Sequence, residues 1–168
     1  MLMNTIYTLV AIAVAILLIG QLGLLRGQMP HDLGVRDSRF KPLPKTPNAV
    51  SSQFDDDAPA AARIRPLDAQ GLDPNLAMTT LGEILRDTDG LHVITQRTDY
   101  IYAQAQSRWL QFVDDVEFWY DAQTQTIAVR SASRIGRSDL GVNRQRVEGL
   151  RAEWVKVSES IPKLDSGH

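Results

Sequence analysis

The chain has 168 residues, a formal charge of -2 and a pI near 5.9, so no global field draws it to nucleic acid, which is not an expected partner. It contains no cysteine, which removes disulfides and thiolate chemistry and leaves the redox compartment open. Once an apolar N-terminal run and a proline-rich segment are set aside, there is room for one compact domain of about 100 residues, large enough to fold without covalent staples.

The run from Ile6 to Leu25, IYTLVAIAVAILLIGQLGLL, carries no charge and is closed by Arg26. At about 1.5 Å per residue it spans about 30 Å, the hydrocarbon thickness of a bilayer. The preceding MLMNT lacks Lys and Arg, and no small-x-small cleavage site follows. An uncleaved single-pass anchor is therefore expected over residues 1–26, with the lipid bilayer as its partner through Ile6 to Leu25.

Residues 27–62 shift to Pro, Asp, Ala and Ser, with Pro30, Pro42, Pro44, Pro47 and Pro59. Fixed φ angles and missing donors predict an extended linker, either wrapped on the domain or free. The acidic run Asp55 to Asp57 reads as a solvated loop, since it lacks the glycine and spaced ligands of a calcium site.

The main domain is expected over 63–162, with 163–168 as a tail. Arg63 to Leu67 is a short strand candidate with Ile64 and Leu67 as its apolar residues. Asp73-Pro74 predicts an N-cap and first helical position, and Ala77, Leu81, Ile84, Leu85 and Thr88 lie on one side of the helix that follows, with Gly90 at its C′ position. Gly82 inside that helix costs about 1 kcal/mol relative to Ala. Leu91 to Thr95 and Tyr100 to Ser107 are strand candidates, rich in β-branched and aromatic residues. Trp109 follows and is expected to be a buried corner residue rather than an exposed platform.

A hairpin comes next, and its register can be read by parity. Val116, Phe118 and Tyr120 share one face of its first strand, and Ile127 and Val129 one face of its second. Pairing Tyr120 with Ile127 sets Phe118 opposite Val129, and on the other face Glu117 opposite Arg130, a cross-strand ion pair. That second face is taken as solvent-facing, so Glu117→Ala should cost under about 1 kcal/mol. Asp114 falls opposite Ser133 on the core side, where loop N–H groups from 135–142 or the Arg134 guanidinium are the expected donors. Its loss is expected to cost most for its size. Asn143 is the expected cap of a second helix, with Val142 and Val147 at staple positions. Its core stripe is Val147, Leu150, Trp154, Val157 and Ile161, and Pro162 ends it.

The strings FVDDVEF, VRSASRIGRSDLGVNRQRVEGLR and TPNAVSSQ resemble the domain-of-unknown-function 1499 family over about Asp32 to Arg151. The resemblance implies a small alpha/beta domain, bacterial, exported or membrane-attached, with no established activity. Family members often carry two cysteines where this chain has Leu43 and Ala49. Joint loss of both is what a disulfide partnership implies, and it excludes a metal or redox role for this loop. The resemblance implies a periplasmic domain. Arg26, Arg36, Arg39, Lys41 and Lys45 all follow the apolar run, which by the positive-inside rule implies the cytoplasm. The periplasmic side of the inner membrane is carried forward as the expectation, with the cytoplasmic side as its alternative.

Chemistry is sparse. His31, His92 and His168 form no pair at metal-ligand spacing, and His92 is expected to be a partly buried strand residue. Ser51-Ser52 lacks a nucleophile elbow, and no glycine-rich phosphate loop occurs. No metal or cofactor is expected. What remains is a polar cluster: Asp114, Asp115, Glu117, Arg130, Ser131, Ser133, Arg134, Arg137, Asp139, Asn143 and Arg144 come together if the second helix folds back over the strands. Adjacent Asp114 and Asp115 point to opposite faces and cannot form a shared-proton dyad, so the cluster reads first as a fold-fixing network and second as a binding site.

The expected architecture is α+β: an antiparallel sheet of four to five strands with two helices on one face, plus one N-terminal transmembrane helix. The expected role is a membrane-anchored accessory or binding module of the bacterial cell envelope, with an envelope protein as candidate partner. The alternative is an enzyme using the Asp114 to Asn143 region. An unpaired carboxylate in a closed pocket would favour the enzyme; an exposed apolar patch would favour the module.

Overall fold

The computed structural model describes residues 1–163; 164–168, with His168 and most of the expected tail, lie outside the described residues. Helix α1 (Leu2–Gln21) is long and apolar enough to cross a membrane. It is displaced toward the N-terminus from the expected Ile6 to Leu25, because the chain turns at Gly23, whose φ is 75°. Leu22 and Leu24 stand exposed beyond it.

The domain is α+β. Strands β1 (Ala49–Ser51), β2 (Leu67–Asp68), β3 (Leu91–Gln96), β4 (Tyr100–Gln106), β5 (Val113–Asp121) and β6 (Thr126–Ser133) form one antiparallel sheet in the order β1-β6-β5-β4-β3, with β2 also paired to β6. β1 and β2 share the outer edge of β6, pairing Ala49 with Ala132 and Leu67 with Ile127. β1 is the strand that sequence reasoning did not anticipate, since it is only three residues long and lies in the proline-rich segment. The hairpin register is the expected one: Asp114 faces Ser133, Glu117 faces Arg130, Phe118 faces Val129 and Tyr120 faces Ile127.

Helices α2 (Pro74–Asp87) and α3 (Val142–Ser158) lie on one face of the sheet. Asp73 caps α2 as expected, its carboxylate accepting from Leu76 N at 2.9 Å. Gly82 is buried beside the Gln96 side-chain amide of β3, whose Nε2 a Cβ there would meet at 2.6 Å. The helix ends at Asp87 with Thr88 as its C-cap, so Asp89 takes the C′ position and Gly90 lies one residue beyond it. Between helices and sheet, Leu81, Leu85, Ile101, Val116, Phe118, Val129, Val147 and Trp154 form the main core. Val147, Leu150 and Trp154 of the α3 stripe are buried, whereas Val157 is partly exposed.

The opposite face of the sheet is also covered. Residues 27–46 lie on the domain, one of the two arrangements expected for this segment, and Phe40, with Leu33 and Val35, packs on Tyr100, Tyr102 and Ala128. Asp37 and Ser38 both adopt positive φ at the tip of a tight turn closed by paired Arg36 and Arg39, the backbone a two-residue hairpin requires. This strap overturns the solvent-facing assignment of Glu117, which is fully buried. His92, by contrast, is exposed on the edge strand β3 rather than partly buried. Trp109 is 64% exposed, not a buried corner residue, because the turn that carries it projects beyond the sheet.

Candidate functional site

The anticipated polar residues do not form one cluster: the sheet separates them into two groups, and Arg144 and the exposed Arg137 join neither. On the helix side, Asn143 is fully buried and is not a cap. Its side-chain amide donates to the Asn48 carbonyl at 3.1 Å and to Ser133 Oγ at 3.0 Å. Its oxygen accepts from the Ser131 hydroxyl and from the Arg146 guanidinium at 2.7 Å. All four of its hydrogen-bonding positions are thereby used. Capping falls to Asp139, whose carboxylate accepts from the N–H groups of Asn143 at 2.9 Å and Gly141 at 3.0 Å. Gly141, at φ 84°, is the N-cap residue, so Val142 becomes the first helical residue and no staple forms with Val147. Burial alone would raise the Asp139 pKa, but the two backbone donors hold it below the ordinary aspartate value.

Asp114 is on this side, and its donor is Arg146 at 2.6 Å. That replaces both expected sources, the loop N–H groups and Arg134. Arg146 was missed by sequence reasoning, although it stands three residues after Asn143 and one before Val147, on the core-facing side of α3. Arg144, included in the expected cluster, is elsewhere: it donates to the carbonyls of Ala60, Ala61 and Arg63 and pins that loop to α3.

On the strap side, Glu117 accepts from Arg130 at 3.2 Å, Tyr100 Oη at 2.9 Å and Gly34 N at 2.6 Å. Asp115 accepts from Arg134 at 2.8 Å and from Tyr102 Oη at 2.6 Å. Burial, reinforced by Asp115, pushes the Tyr102 hydroxyl up to about 12, and burial with Glu117 raises Tyr100 further. For Arg134 burial pulls downward, but the Asp115 carboxylate more than offsets it. These tyrosines and Arg134 therefore remain protonated donors at neutral pH, which makes the layer a fixed charge network rather than a proton relay. The serine-nucleophile reading has no support either, since Ser51 Oγ accepts from Gln53 N and Ser52 Oγ from Val129 N. No metal-ligand cluster occurs among the described residues.

Beside the Asp114–Arg146 pair, the sheet, the turn after α2 and the loop before α3 leave a recess of about 560 Å³. Its walls are mostly apolar, from Leu91, Ala105, Phe112, Val113, Ile135, Leu140 and Val142. Leu140 is 94% exposed at its rim, and Val142, Phe112 and Ile135 are partly exposed. Its polar lining includes Asp114, Ser133, Asp139 and Arg146 on the side of α3, and Asp89, Gln106 and Ser107 on the side of the turns after α2 and β4.

The model of a family described as protein of unknown function (DUF1499) matches residues 39–154, well over half of the chain. The chain belongs to the DUF1499 family. No curated protein and no solved structure matches it. The three strings that carry the DUF1499 resemblance meet in one place: Asn48, Asp114, Ser131, Ser133, Asn143 and Arg146 form the helix-side network. The chain holds no cysteine, and Ala49 is a buried residue of β1.

Proposed function

We propose that the protein is a membrane-anchored binding module of the bacterial cell envelope, on the periplasmic side of the inner membrane, whose ligand occupies the recess beside Asp114 and Arg146. The observation that supports this reading is the recess itself: a cavity of ligand size, mostly apolar, with convergent polar groups on one wall and exposed apolar residues on its rim. The enzyme alternative has less in its favour. Asp114, Asp115 and Glu117 are each paired with an arginine, so none of the three is the unpaired carboxylate that an enzyme reading calls for.

The test uses the chain without Met1 to Leu25 and the uncharged dye Nile red. Saturable binding with a blue-shifted emission is expected, and it should vanish in Val142→Trp, where an indole at the half-exposed rim fills the mouth without disturbing the core. Equal binding by the parent and Val142→Trp would remove the recess as the ligand site.

A further inference from the structure

The end of α1 is fastened to the domain. Gly20 is buried against the turn that follows β4, and a Cβ there would fall 2.8 Å from Leu110 Cα, so only glycine lets the two backbones meet. Around this contact Gln21 Nε2 donates to the Trp109 carbonyl at 2.9 Å, Gln111 donates to Gln21 Oε1 at 3.3 Å, and Arg26 donates to Gln111 Oε1 at 2.6 Å. A turn so tied lies at the level where the apolar helix ends, which for a spanning helix is the boundary between hydrocarbon and headgroups. Trp109 stands exposed at that level with the Arg108 guanidinium 5.2 Å from the centre of its ring. An exposed tryptophan beside a basic residue is the composition that the membrane interface selects.

The same turn borders the recess. Ser107 and Phe112, its two ends, are lining residues. Gly27, just after the anchor, sits close against Ile135, another of them. The mouth of the recess is thus next to the chain's exit from the apolar helix. Its chemistry narrows the occupant further. Arg146, the one basic residue lining it, already donates to Asp114 and Asn143, while Asp89 and Asp139 add negative charge. No free cation among the lining residues is left to receive an acidic headgroup.

We infer that the domain is seated on the bilayer through the Trp109 turn, so that the recess takes the chain of an uncharged lipid directly from the membrane. The inference rests on the recess being the ligand site and adds the ligand's class and route. Full-length protein in phosphatidylcholine nanodiscs, with and without bromine on the acyl chains near the glycerol, tests the seat. Bromine should quench tryptophan fluorescence, and the quenching should be lost in Trp109→Phe, which keeps Trp119 and Trp154. Quenching that survives in Trp109→Phe overturns the seat.

In the same nanodiscs, a monoacylglycerol carrying a diazirine on its chain should label the segment from Leu140 to Arg146. Labelling should be lost in Val142→Trp and competed by unlabelled monoacylglycerol but not by the fatty acid of the same chain. Equal competition by the fatty acid overturns the uncharged class. Labelling confined to α1, with Nile red still bound in the recess, overturns the membrane route alone; loss of Nile red binding as well removes the recess reading beneath it.

Discussion

Three donors converge on the Glu117 carboxylate from three separate parts of the chain: Arg130, Tyr100 and the backbone of Gly34. Truncating it strands all three and leaves the Arg130 guanidinium, itself 3% exposed, without its counter-charge. Glu117→Ala should therefore cost about 3 to 5 kcal/mol in urea denaturation, and more than Asp114→Ala, whose partner Arg146 keeps Asn143 and Ser131 as acceptors. This reverses the ranking that parity alone supports. Parity tells which residues share a face, and it set Glu117 opposite Arg130 correctly. It does not tell whether a distant segment covers that face, because the strap contributes only scattered apolar residues, Leu33, Val35 and Phe40, among prolines and charges. Arg146 escaped notice for a related reason. An arginine on a core-facing helix position looks like a solvent residue until Asp114 is placed beneath it.

Helix α3 shows what element-level patterning can and cannot locate. Its buried stripe followed from spacing, yet its start was misplaced, since Asp139 and Asn143 are both residues that cap helices and only the three-dimensional demand on Asn143 decides between them. Asp139→Ala should lower stability by about 0.5 to 2 kcal/mol at neutral pH. Because the folded pKa of Asp139 lies below the ordinary value of 3.8, the charge-dependent part of this contribution is complete above the unfolded pKa. It is lost as pH falls through the folded one. Paired thermal melts of parent and Asp139→Ala should differ at pH 7 and draw together toward pH 2; a gap that widens on acidification would contradict the capping geometry. In α2, both the cap at Asp73 and the apolar side were legible. The contact of Gly82 with Gln96 was not, because Gln96 comes from the next strand.

At the scale of the whole molecule, the folded unit is bounded by the strap rather than by the main core. The chain lacking Met1 to Leu25 should melt cooperatively, since both layers over the sheet are retained. A chain beginning at Pro47 should lose that cooperativity, because Tyr100, Tyr102 and the Glu117–Arg130 pair would be uncovered. Calorimetry of the two forms checks this, and a sharp transition in the shorter one would show that the strap is dispensable. The pairing of β1 with β6 also sets a timetable for synthesis. The ribosome delivers α1, the strap and β1 first, but the strand that β1 needs comes last among the six, and α3 later still. Non-local closure of this kind is slow. β1 of a nascent chain therefore stays unpaired until β6 has emerged, with the β3–β4–β5 meander already available to close before it.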